Sequence, residues 1–176
     1  MTLRCSGCGN EIETLPLKCA HSISFNDETH QMECYMENCG TIEIKEFLCE
    51  KCCAKKSIMK LNKYVEQLAL ENDEFKEELA YFNTKIFQGK VLNSDFTFWV
   101  EFGDGVYLCD KGVKDNPAFT VICSHETMLK VFNGQLEAFA EFFNGNLKIE
   151  GDLQYAVAFF DLLKLASEIN NELGGA

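Results

Sequence analysis

No segment of this 176-residue chain is basic; its formal net charge is −12, and the acidic excess runs through its N-terminal, middle and C-terminal thirds alike. Nucleic-acid binding draws on a basic patch that displaces counterions from phosphate, and an anionic membrane surface attracts polybasic segments. The charge argues against both partners. No stretch reaches the roughly 18–20 consecutive apolar residues of a membrane span, so no integral membrane segment is expected. The opening "MTLRCSGCGNEIE" turns polar at once and lacks a signal-peptide core, and the closing "NELGGA" carries no targeting tripeptide or prenylation box. The expectation is a cytoplasmic protein. Catalytic motifs are also missing: there is no His-Glu-x2-His or His-x-Glu pattern, and no Ser or Cys nucleophile motif accompanies His125. "GDG" at 103–105 is a turn, not a phosphate loop, and acidic "LENDEFKEEL" (70–79) has the helical pattern of a solvated face, not of a calcium loop. Internal repeats and low-complexity runs are absent too. No enzyme is expected.

Cysteine, by contrast, is plentiful and clustered. Eight of the ten lie within the first 53 residues; only Cys109 and Cys123 lie beyond, on predicted strands, where they read as small buried hydrophobes. In a reducing compartment such a cluster points to metal rather than disulfides. "CSGCG" (5–9) and "CEKCC" (49–53) are both Cys-x2-Cys knuckles, a spacing that lets two thiolates grip one tetrahedral ion. Between them lie Cys19, His21, His30, Cys34 and Cys39. A segment of this length buries little apolar core, so a structural metal would hold it folded. Zn2+ fits thiolate and imidazole ligands. Two versions stand open: one zinc on Cys5, Cys8, Cys49 and Cys52, a zinc ribbon with an insertion, or two zincs that also use Cys19, His21, Cys34 and Cys39. His30 and Cys53 are possible substitutes. An iron–sulfur cluster or a dithiol redox pair are the competing uses of such cysteines; the surroundings show no βαβ pattern for the latter.

Three zones follow along the chain. Residues 1–56 form the cysteine-rich module. Residues 57–83 form an acidic amphipathic helix in which Leu61, Val65, Leu68, Phe75, Leu79 and Phe82 recur at helical spacing, with a break at Asn72. Residues 84–176 alternate strands and helices. Strands are expected at 84–92, 95–102, 106–110, 118–124 and 147–150, with Phe96, Phe98, Val100 and Phe102 on one face of the second. Ser124 caps a helix closed by Gly134, 136–143 is a short apolar helix, and a long helix runs from Asp152. Hairpins dominate, so the fold class is α+β: a five-stranded, mainly antiparallel sheet covered by helices.

The apolar content of this zone is high. Most of the 15 phenylalanines fall after residue 74, and the helix from Asp152 presents Leu153, Ala156, Val157, Phe159, Phe160, Leu162, Leu163, Leu165 and Ala166 over more than one face. Composition leaves two packings open, a dry core or a cavity for an apolar guest. The order of pieces in "AFTVICSHETMLKVFNGQLEAFAEFFNGNLKIEGDLQYAVAFFDLL" (118–163), with its marks Ser124, Gly134, Gly145, Leu147, Lys148, Ile149, Gly151 and Asp152, resembles the sterol carrier protein family, the small nonspecific lipid-transfer domain. "FTFWVEFGDGVYLCDKG" looks like that family's second and third strands, shortened, and 57–83 like its leading helix. The resemblance covers roughly 75–174. It implies lipid binding without chemistry, in a hydrophobic tunnel between sheet and helices, for a fatty acid, acyl-CoA, sterol or isoprenoid. Carried over by position, the lining would be Phe98, Val100, Phe102, Leu108, Val121, Leu129, Phe132, Phe139, Phe143, Phe159 and Leu163. The cysteine-rich front is no part of that domain, and no peroxisomal signal follows it.

The expected function is therefore sequestration or transfer of an apolar lipid, with the zinc module docking a protein partner or forming a homodimer. The competing reading is a zinc-containing interaction or dimerisation protein with a dry apolar core.

Overall fold

The computed structural model describes residues 4–11, 23–26, 31–34, 41–43 and 50–172. The chain divides into two compact units, 1–53 and 54–176. In the first, β1 (Ile23–Asn26), β2 (Gln31–Cys34) and β3 (Thr41–Glu43) form an antiparallel sheet in that order. Upstream, an isolated bridge between Arg4 and Glu11 closes a tight loop.

Helix α1 (Glu50–Glu71) begins in the first unit and runs into the second. It starts earlier than the hydrophobic periodicity predicts, because the Cys-rich segment 50–56 is itself helical. The expected single helix to residue 83 is two helices. Asn72 leaves helical geometry, and its side chain accepts the Phe75 N–H at 2.9 Å to cap α2 (Asp73–Ala80). Asparagine competes with the helical ladder through such local bonds.

The remaining elements are β4 (Lys85–Val91), β5 (Thr97–Gly103), β6 (Val106–Lys111), β7 (Phe119–Cys123), α3 (His125–Phe132), α4 (Ala138–Phe143), β8 (Leu147–Gly151) and α5 (Leu153–Glu172). The strand order is β6-β5-β4-β7-β8. Only β4 and β7 pair in parallel, with Gly89 opposite Val121; the other pairs are antiparallel. This is the mixed, mainly antiparallel sheet expected. The turns obey local chemistry. Asp104 (φ 51°) and Gly105 (φ 75°) form the two-residue hairpin, whose twin positive φ values suit Asp-Gly. Ser124 caps α3 by accepting the Thr127 N–H at 3.1 Å, and the Asp152 carboxylate accepts the N–H groups of Gln154 and Tyr155.

The core lies on one face of the sheet. Phe98, Val100 and Phe102 of β5 are fully buried, as are Phe87 of β4 and Val121 of β7. A Cβ at position 89 would come within 2.4 Å of the Phe98 ring, so glycine there lets that ring lie across the neighbouring strand. Phe159 projects from α5 into this layer. Its ring centroid is 4.6 Å from Phe87, 5.0 Å from Phe102, 5.8 Å from Phe119, 6.1 Å from Phe132 and 6.4 Å from Tyr107. Helices α1, α2 and α3 add Ile58, Val65, Phe75, Leu79 and Met128 to the same cluster. On the opposite face, the 112–118 connection crosses the sheet and is held by buried Gln88. The Gln88 amide donates to the carbonyls of Phe98 (2.8 Å) and Gly112 (3.0 Å) and accepts the Lys114 N–H at 3.1 Å. Lys114 then lies over Trp99 at 3.9 Å and pairs with Glu101. Among the described residues, no helix is long and apolar enough to cross a membrane.

Truncating the hub ring leaves a cavity its neighbours only partly fill. Phe159→Ala is expected to lower unfolding free energy by about 3–5 kcal/mol, whereas Val157→Ala, on the exposed face of α5, should change it by less than about 0.5 kcal/mol. Urea unfolding followed by circular dichroism checks the contrast; equal losses would remove Phe159 from its central role.

Candidate functional site

Among the described residues, three pockets of the second unit bear on the site. The first, about 270 Å³, lies where the α3–α4 connection meets α5 and is lined by Val131, Gly134, Leu136, Glu137, Ala138, Phe139, Phe160, Asp161 and Lys164. Val131 comes from the buried face of α3, and Phe160 follows the hub residue on α5. Phe139 meets Phe160 edge to face at 6.0 Å. The pocket thus has an apolar floor continuous with the core and two carboxylates and one ammonium among its lining groups. Helix α4, which supplies one wall, is short and has no side-chain N-cap bond; Ala138 is its one buried residue. The adjoining Phe143 is 81% exposed.

The second pocket, about 360 Å³, lies between α1 and edge strand β6, with Ala69, Leu70, Val106, Tyr107 and Leu108 beside Lys63 and Glu66. Here α1 satisfies part of the strand's outer edge. Lys63 Nζ donates to the Cys109 carbonyl at 2.9 Å, and the Glu66 carboxylate accepts the Cys109 N–H at 3.2 Å. The hydrogen bond to Glu66 raises the Lys63 ammonium above its ordinary range. Beneath them the Tyr107 hydroxyl donates to the Asn62 side chain at 2.9 Å in a fully buried contact, and burial pushes the phenol well above its usual pKa. The third pocket, about 80 Å³, lies between α1, α3 and α5.

The residues predicted to line a tunnel are divided by the structure. Phe98, Val100, Phe102, Val121, Phe132 and Phe159 pack together in the core. Phe139 borders the first pocket, Leu108 the second and Leu163 the third. Leu129 is half-buried against the core, and Phe143 faces solvent. Phe160, Leu136 and Val131 were not in that set, although Phe160 was legible as part of the second apolar face of its helix. Phe87, central to the aromatic layer, is not in that set either; its strand does not alternate cleanly, for Phe87, Gln88 and Gly89 are all buried.

In the first unit, the thiols of Cys5, Cys8 and Cys52 converge, with their sulfurs within 4.8 Å of one another. Cys49, Cys19, His21, His30 and Cys39 lie outside the described residues; Cys34 ends β2, its backbone opposite Ile23. The loop around Cys5 is tight. Gly9 N–H donates to the Cys5 carbonyl (2.8 Å), Cys5 N–H to the Asn10 carbonyl (2.8 Å), and Gly7 N–H to Cys5 Sγ (3.4 Å).

Residues 61–164 match the family model described as the SCP-2 sterol transfer family. Among solved structures, the chain is similar to sterol carrier protein domain 2 of Helicoverpa armigera, at 22% identity and TM-score 0.49 over 64% of this chain and 89% of that one. It is also similar to palmitated SCP2L2 from Aedes aegypti, at 17% identity and TM-score 0.48 over 61% and 92%. A third similar structure is a UbiJ-SCP2 ubiquinone synthesis protein, at 19% identity and TM-score 0.46 over 66% and 93%. No curated protein matches the chain.

The two cysteines of the second unit are buried, Cys123 without a charged neighbour and Cys109 beside Lys63 and Glu66. Burial pushes the Cys109 thiol up to about 11 and the Cys123 thiol up to about 12. Since the thiolate is the nucleophile, both should resist iodoacetamide at pH 8 in the native protein and react once it is denatured, as read by peptide mass spectrometry. A raised folded pKa also means that their contribution to stability is complete below the unfolded thiol pKa and fades as pH climbs toward 11–12. Native labelling of Cys123 at pH 8 would contradict this packing.

Proposed function

The chain belongs to the SCP-2 sterol transfer family, and from that premise we propose that its C-terminal unit binds a lipid with one alkyl or isoprenoid chain and transfers it without catalysing a reaction. The observation that carries this reading is the first pocket: an apolar floor of Val131, Leu136, Phe139 and Phe160 that runs into the aromatic core, beside Glu137, Asp161 and Lys164. Such a site suits a ligand that is apolar along its length and polar at one end. Its volume, about 270 Å³, is near the lower bound of about 300 Å³ for ligand pockets. Helix α4 is the element that yields to enlarge it into a tunnel, because it has little buried area and an unbonded N-cap. The driving force is transfer of alkyl surface out of water, about 0.8 kcal/mol per CH2. The first unit then serves as a zinc-held module that docks a protein partner or a second copy of the chain.

The closed aromatic packing around Phe159 favours a second reading, an interaction protein with a dry core. Titration with fatty acids of increasing length separates the two. Lipid binding predicts that Kd falls about four-fold per added CH2 until the pocket is filled, and that Phe139→Asp abolishes uptake while the fold is retained. No uptake at any length, together with concentration-dependent dimerisation in sedimentation, would favour the dry-core reading instead.

A further inference from the structure

We propose that Cys5, Cys8 and Cys52 hold one structural zinc ion, that Cys49 supplies the fourth thiolate, and that this closed tetrathiolate site anchors the first turn of α1. The inference sharpens the zinc reading above and does not depend on lipid binding. Three sulfurs within 4.8 Å cannot be explained by a disulfide, which joins two at about 2.05 Å and leaves the third over. A tetrahedral zinc with bonds of about 2.3 Å sets its sulfurs about 3.8 Å apart, a spacing the cluster reaches with small adjustments. The loop at Cys5 has the form a metal knuckle needs. It doubles back through the Cys5–Asn10 and Gly9–Cys5 backbone bonds, Gly9 takes φ +74°, and the Gly7 N–H points at Cys5 Sγ. An N–H donor to sulfur stabilises the thiolate form that binds metal.

The second knuckle sits at a helix start. Cys52 is in the first turn of the 22-residue α1, and Cys49 precedes it in the sequence by the Cys-x2-Cys spacing that lets two thiolates grip one ion. Four thiolates around Zn2+ carry a net charge of −2. The unsatisfied N–H groups and positive dipole end of α1 favour negative charge at that place. Arg4 and Lys51 adjoin the ligands in sequence. Cys53 is one residue farther, about 100° around the helix, and is not in the cluster. With all four positions taken by protein, no coordination site remains for substrate, so the ion is structural.

The test uses the full chain. Metal analysis and native mass spectrometry of protein purified without chelator are expected to find zinc, and Co2+ exchanged into that site should show the charge-transfer and visible bands of tetrathiolate cobalt. Cys8→Ser and Cys52→Ser should lose that ion, while Cys53→Ser keeps it. Loss of the ion in the first two variants is separated from loss of their fold by a second readout on the wild type. Cys5, Cys8, Cys49 and Cys52 should resist alkylation with metal bound and react after strong chelation, with a loss of helical signal, while Cys123 stays protected in both states. Iron in place of zinc, a Cys5–Cys8 disulfide, or loss of the ion in Cys53→Ser would each overturn the proposal. Lipid uptake measured on the same samples reports on the other unit and would fail independently.

Discussion

The ring of Phe159 is where sheet and helices of the second unit meet. Five aromatic rings of the sheet and α3 surround it at 4.6–6.4 Å. Offset and edge-on aromatic pairs add roughly 0.5–1.5 kcal/mol each beyond their buried area, and together they fix the depth and rotation of α5. That rotation turns Phe160 toward the first pocket and Val157 toward water. The apolar pocket wall is thus a consequence of how the hub packs. Helix α4, by contrast, buries only Ala138 and has no side-chain N-cap bond.

Polar contacts fix the other elements. Asn62 and Tyr107 join α1 to β6 through one buried hydrogen bond, and Lys63 and Glu66 satisfy the backbone of Cys109 on the same strand. Gln88 holds the long connection from β6 to β7 against the far face of the sheet. A buried amide left without these partners would cost about 1–3 kcal/mol, so the register of β4 and the path of that connection are specified together. The connection so held runs from β6 to β7, which pairs on the far side of β4.

Much of the fold was legible. Period-two alternation marked β5, the Asp-Gly pair marked its hairpin, and Ser124 and Asp152 marked helix starts, because each depends on chemistry within a few residues. The break at Asn72 was visible as an interruption of the apolar seam. The early start of α1 was hidden, since "EKCCAKK" has no hydrophobic period and reads first as metal knuckle. The resemblance in 118–163 identified the domain type that the family match over 61–164 establishes. The lining was less accessible, for a strand's parity says which residues are inside but not whether they meet a cavity or another ring.

The sequence by itself determined the two-part character of the protein: clustered cysteines with little apolar core ahead of a phenylalanine-rich α+β domain, in a chain acidic throughout. It also determined the strands and caps of the second unit and its type of domain, since these depend on local pattern and composition, whereas β1, β2 and β3 of the first unit carried no such pattern. Tertiary structure decided the parallel pairing of β4 with β7, the burial of Gln88 and the meeting of Cys5 and Cys8 with Cys52. It also divided the predicted lining among a filled core, three pockets and the surface. Each of these joins groups far apart in the chain, and their separation is set by the packing of whole elements, which no local period encodes.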